Sequence, residues 1–232
     1  DGLLALGGHA TITNIGAITG GVGGAAGAAT IAGGTGGGGG IGVNLAGTTN
    51  SLANIGTISG GAGLTGGVGV RTRGNDSITN AGLIMGGMNN GGTTRAAAVE
   101  FGGLDNALNL LSGSVILGDL LFDAGASATI AALNSGLTLN NAVVLSDAAS
   151  NVIFSTARSG LTMSGAVSGA GTLTLGGIDS NVLTMTSANT YTGATTIGSG
   201  TLALSGNGSI AASSGVTVAG VFDISGVTAG TS

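Results

Sequence analysis

Nine carboxylates, four arginines and a single histidine are all the ionisable side-chain chemistry that 232 residues offer besides one tyrosine, since lysine and cysteine are absent. A Ser-His-Asp triad or a histidine metal site has to be built around His9, and no Gly-x-Ser-x-Gly elbow accompanies it. His9 therefore reads as a surface residue. The carboxylates carry a stronger catalytic hypothesis, because glycosidases place two acidic groups across a scissile bond. Asp119 and Asp123 bracket Leu120-Leu121-Phe122 and are the candidate acid and base, with Asp105 and Asp147 one or two coils away. Aromatic platforms and a cation near them are limited to Phe122, Phe154 and Arg158, so aspartates placed in turns are the default reading.

Other constellations are weaker. Arg71, Arg73 and Asp76 read as an exposed charged group at a corner, of little energetic weight. Gly34-x-Gly36-x-x-Gly39 fits a dinucleotide fingerprint only because it lies inside a glycine run, without the strand-then-helix context that gives the motif its meaning. Thr-x-Thr pairs occur at Thr11/Thr13, Thr172/Thr174, Thr184/Thr186 and Thr190/Thr192. A flat ladder of such pairs would resemble ice-binding solenoids, but these fall irregularly along the chain and Ala203 interrupts the row.

Composition limits what can position such residues. The chain has 52 glycines, no proline, no tryptophan, one tyrosine and four phenylalanines, with 6% charged residues. Large side chains for a deep core are missing, so the core must be thin; stacked layers that each bury a few Leu, Ile and Val against the next suit that supply. Glycine without a period is a disorder signal, concentrated here at Gly33 to Gly40. Elsewhere, low charge and alternating β-branched residues oppose it. A net charge of −5 supplies no basic footprint, which excludes a nucleic-acid partner. Absence of cysteine excludes disulfides and thiolate metal sites. No run of about 18 apolar residues predicts a membrane-spanning helix, and no cofactor motif survives.

Repeats then set the architecture. Ile12-Thr-Asn-Ile-Gly-Ala-Ile-Thr-Gly-Gly21 recurs as Leu52-Ala-Asn-Ile-Gly-Thr-Ile-Ser-Gly-Gly61 and as Ile78-Thr-Asn-Ala-Gly-Leu-Ile-Met-Gly-Gly87. Asn54 follows Asn14 by 40 residues and Asn80 follows Asn54 by 26; the longer interval holds the glycine run, which reads as a loop insertion. Asn14, Asn54 and Asn80 occupy equivalent corners, where asparagine tolerates a tight backbone and stacked copies can bond side chain to side chain. An amide ladder is the expectation. After about Leu104 the steps become Leu-rich, with Leu-Thr-Leu/Met units starting at Leu137, Leu161 and Leu183. A period in the twenties without any helical pattern predicts a parallel β-helix throughout, of roughly nine or ten coils and roughly 45 Å at the strand spacing of about 4.8 Å. Three stretches make it up: 1–103 with the asparagine repeats, 104–168 with Leu-rich coils, and 169–232. Both termini still alternate, so the stack is expected to continue beyond them.

The third stretch resembles a known family. Gly169, Gly171, Thr172, Leu173, Leu175 and Gly177, then Asn189, Thr190, Tyr191, Gly193, Thr195, Ile197, Gly200, Thr201 and Leu202, follow the autotransporter-associated β-strand repeat of Gram-negative bacteria. Ile178 to Thr186 is an extra passage before the Asn-Thr-Tyr corner, in which Tyr191 is read as structural. The asparagine repeats and Leu110 to Gly118 look like passenger-domain repeats of the same family. This resemblance implies a right-handed β-helix passenger (type V secretion), exported across the inner membrane and carried to the cell surface by its own C-terminal β-barrel. It further implies a non-catalytic stalk displayed or secreted outside the cell, acting in adhesion to host or bacterial surface molecules or in self-aggregation. The alternatives are a β-helical polysaccharide lyase or glycosidase using Asp119 and Asp123, and an ice-binding solenoid.

Overall fold

Alternation at period two with glycine or asparagine at every break lets each short strand bury one row and turn a corner. In the computed structural model, which describes residues 1–24, 37–156, 160–177 and 182–228, those strands stack into a parallel β-helix. Gly33 to Gly36, Arg158 and the first part of the Ile178 to Thr186 passage lie outside the described residues. Every strand pairs in parallel with its counterpart in the next coil.

Three faces run along the rod. The first is a seven-stranded sheet from Leu3–Ala5 to Val167–Gly169, and the second a nine-stranded sheet from Thr11–Asn14 to Val216–Val218. Among the described residues, nine strands on the second face mean nine coils, spanning roughly 38 Å between the first and last at the usual strand spacing. Its central inward column is apolar throughout: Leu52, Ile78, Leu108, Ile130, Phe154 and Leu175 stack in register and are fully buried. Phe101 and Phe122 stack likewise on the first face, ring centroids 4.8 Å apart.

The third face is split. Coils one to four use a four-stranded sheet ending at Val115–Leu117, and coils five to nine a five-stranded sheet starting at Leu137–Leu139. The pleat explains the break. In the four-stranded sheet only the middle residue points inward, in the column Ile18, Ile58, Ile84 and Ile116. In the five-stranded sheet the outer two do, as with Leu161/Met163 and Leu183/Met185. Strands out of phase by one residue cannot ladder while both keep their apolar side chains inside. A cleft of about 550 Å³ remains between Val115–Leu117 and Leu137–Leu139, bridged where Asn141 Nδ2 donates to Ile116 O and Gly118 O.

The paired glycines of the repeats have a packing role. Gly61 N donates to Gly40 O at 2.7 Å and Gly87 N to Gly67 O at 2.7 Å, so bare backbones lie side by side. A Cβ on Gly61 would meet Gly21 O at 2.0 Å, and one on Gly87 would meet Gly61 O at 1.9 Å. Only glycine fits. The glycine run expected as a loop thus contributes its described half, Gly37 to Gly40, to a packed backbone layer.

Candidate functional site

The asparagine corners form the expected ladder. Asn14 Nδ2 donates to Asn54 Oδ1 and Asn54 Nδ2 to Asn80 Oδ1, both at 2.7 Å, and Asn80 Nδ2 ends on Ser114 Oγ where Leu110 replaces the next asparagine. All three are buried, and Asn14 and Asn80 also hold the amides of Gly16 and Gly82. Their polar capacity is spent within the wall, so they serve as structure.

A second polar column stands at the other end of the same strands. Asn50 gives both its backbone N–H and Nδ2 to Asp76 Oδ1, Arg73 N donates to Asp76 Oδ2, and Asp76 N donates to Asn106 Oδ1. Asp76 is 1% exposed. The reading of Arg71, Arg73 and Asp76 as an exposed charged corner is therefore corrected: the carboxylate is buried among amides, and Arg71 turns elsewhere. Its partner is Glu100, through Nη2 to Oε2 at 2.8 Å and through Nε, 2.5 Å from Oε1 but poorly aligned for a hydrogen bond.

Arg71 and Glu100 sit opposite one another on the outer surface of the first face. Asp123 completes the group. Burial, then the neighbouring Glu100 carboxylate, push its carboxyl above the ordinary range, and the Arg71 and Arg73 guanidiniums offset this only in part. Asp119, nominated as its catalytic partner, is exposed at the far end of Leu120–Phe122. Four residues of extended chain separate their Cα atoms by roughly 13 Å. The charges acting on Asp123 are thus Glu100, Arg71 and Arg73.

The remaining candidates occupy turns. Asp105 has a left-handed backbone, φ 58°, and is exposed. Asp147 Oδ1 accepts from Gly125 N, Ala149 N, Ser150 N and Ser150 Oγ. The Gly125 and Ser150 bonds foremost hold its carboxyl below the usual range. His9 is exposed in a left-handed turn. Among the described residues no three His, Cys, Asp or Glu side chains cluster as a metal site, and no helix is long and apolar enough to cross a membrane. Phe122 and Phe154 are fully buried and unavailable as sugar platforms.

Tyr191 is fully buried, its hydroxyl 2.6 Å from Thr195 Oγ1, which bonds Ser213 Oγ in turn. Burial raises its phenol above the ordinary value. Beside it, Asn189 Oδ1 accepts from Val167 N while Nδ2 donates to Ser187 O and Ser209 O. Asn189 to Tyr191 thereby continue the first face past its last strand.

Sequence reasoning missed Glu100 and the Asn50-Asp76-Asn106 column, because each contact joins residues 26 to 30 positions apart. Comparison with protein-family models, curated proteins and solved structures gives no match for this chain.

Proposed function

We propose that the chain is a non-catalytic length of rod in an autotransporter passenger, displayed on or released from a Gram-negative cell surface and acting in adhesion or self-aggregation. One observation carries the non-catalytic part: Asp105, Asp119 and Asp147 are dispersed on separate corners, and Asp123 faces an ion-paired glutamate. Polar side chains are instead committed to ladders inside the wall, which is what a rod of constant section needs. The family part rests on the Gly169 to Leu202 pattern, whose Asn189 and Tyr191 occupy buried, bonded positions.

The test is display. Joined to a C-terminal outer-membrane β-barrel and an export signal, the chain should reach the cell surface, become accessible to added protease and make cells settle or adhere. Retention in the periplasm would reject the autotransporter reading. Release of reducing ends from a panel of polysaccharides, abolished in Asp123→Asn, would reject the non-catalytic one.

A further inference from the structure

The sequence contains two Asn-Gly steps, Asn90-Gly91 and Asn207-Gly208. Glycine after asparagine leaves the next backbone nitrogen unshielded by a Cβ and able to reach the side-chain carbonyl carbon, a ring closure between groups already held in one chain. By sequence the two steps are equivalent. The structure separates them.

Asn207 is exposed, but Gly208 is buried and its N–H donates to Ser205 O at 2.9 Å. A Cβ on Gly208 would lie 2.1 Å from Met185 O, so this backbone is packed against the preceding coil. Turning the Gly208 nitrogen toward the Asn207 side chain breaks that bond and unpacks the corner. Asn90 and Gly91 instead form the tip of a loop that Asn89 closes. Asn89 N donates to Thr94 O, Gly92 N donates to Asn89 O, and Asn89 Oδ1 accepts from Thr93 N and Thr94 N. Between those anchors both tip residues are exposed, and neither the Asn90 side chain nor the Gly91 N–H makes a hydrogen bond among the described residues. Other asparagines are held: Asn14, Asn54 and Asn80 are buried and bonded in their ladder.

We infer that Asn90 is a site of spontaneous modification, at which the folded chain converts an amide into a carboxylate. The Gly91 nitrogen attacks Asn90 Cγ and a C–N bond forms, while Nδ2 departs as ammonia with the proton that the Gly91 nitrogen gives up. Water then opens the five-membered imide. Opening at the side-chain carbonyl leaves aspartate; opening at the backbone carbonyl leaves isoaspartate, with one extra main-chain methylene. Either product puts a negative charge on a loop, 88–95, whose only ionisable side chain is Arg95 at its base. The reading is independent of the proposed cellular role.

Gly91→Ala probes the step without disturbing the fold, because a methyl there would meet Thr93 Oγ1 at an ordinary 3.5 Å. Purified parent chain and this variant would be held at mildly alkaline pH in heavy-oxygen water, folded or in urea, then digested with pepsin in acid. Electron-transfer mass spectrometry locates each amide-to-acid exchange and distinguishes isoaspartate. In the folded parent, Asn90 should convert at least about tenfold faster than Asn207, where a hydrogen bond and packing must first be broken. In urea the two rates should converge, and Gly91→Ala should slow Asn90 by about tenfold. Equal rates at the two sites in the folded chain overturn the inference, as does an Asn90 that stays an amide or a Gly91→Ala chain that converts as fast as the parent. An Asn207 still slower in urea would trace the difference to local sequence and overturn it as well.

Discussion

Asn54 shows how much a single side chain carries here. It accepts from Asn14, donates to Asn80 and also donates to Leu83 O, all inside the wall. Asn54→Leu, which copies the leucine that coil four uses, strands one N–H of Asn14 Nδ2, while Asn80 Oδ1 keeps its bond from Gly82 N. An orphaned buried donor costs about 1–3 kcal/mol, so a loss of stability in that range is expected by urea denaturation. Thr72 is the converse. Its side chain is fully buried and its hydroxyl unpartnered, so Thr72→Val, of equal shape, should stabilise by about 1 kcal/mol in the same assay. Asp123 has a folded-state pKa above its unfolded one, so it favours the fold at pH values below the unfolded value and loses that as pH rises through the folded value. Asp123→Asn should therefore stabilise the fold slightly at neutral pH, by less than about 1 kcal/mol given its exposure, seen as a small rise in Tm that vanishes near pH 3. Asp147 has the opposite sign: its contribution is present above the unfolded pKa and disappears in acid.

Elements differ in how far the sequence discloses them. The asparagine corners were legible because one residue type recurs beside a fixed glycine, and a corner's needs are local. Alternating Leu and Thr likewise disclosed the strands at Leu161–Met163 and Thr172–Gly176. The split third face was not legible, because Val115-Ile116-Leu117 is apolar at all three positions and does not disclose whether its middle or its outer residues face inward, whereas Leu137-Thr138-Leu139 alternates. Arg71 and Glu100 stayed apart for a similar reason, since their pairing is set by coil length and not by nearness in the chain. The glycine pairs read as punctuation, whereas Gly61 and Gly87 are sites of backbone contact. Gly61→Ala should cost more than the roughly 1 kcal/mol that glycine substitution usually involves, because its Cβ would fall 2.0 Å from a carbonyl oxygen. An exposed glycine with free space, such as Gly16, supplies the control, and thermal melts of the two variants decide the matter.

At the scale of the whole molecule, contacts run between successive coils, so stability is a sum of layer terms and neighbour terms. Such a chain should not unfold in one step. Hydrogen exchange is expected to be slowest in the middle of the second sheet, at Leu108, Ile130 and Phe154, and fastest in Val216–Val218, whose side chains are exposed. A single exchange rate shared by all nine coils would contradict this. The same layering has a mechanical reading. Bonds between coils lie along the rod, so a pull on its two ends loads the ladders in series and opens one layer at a time, each releasing the chain of one coil. A sideways load is shared by three faces at once. The rod is therefore stiff in bending yet yields stepwise in tension, lengthening under a tug as a tether does that gives ground before it lets go.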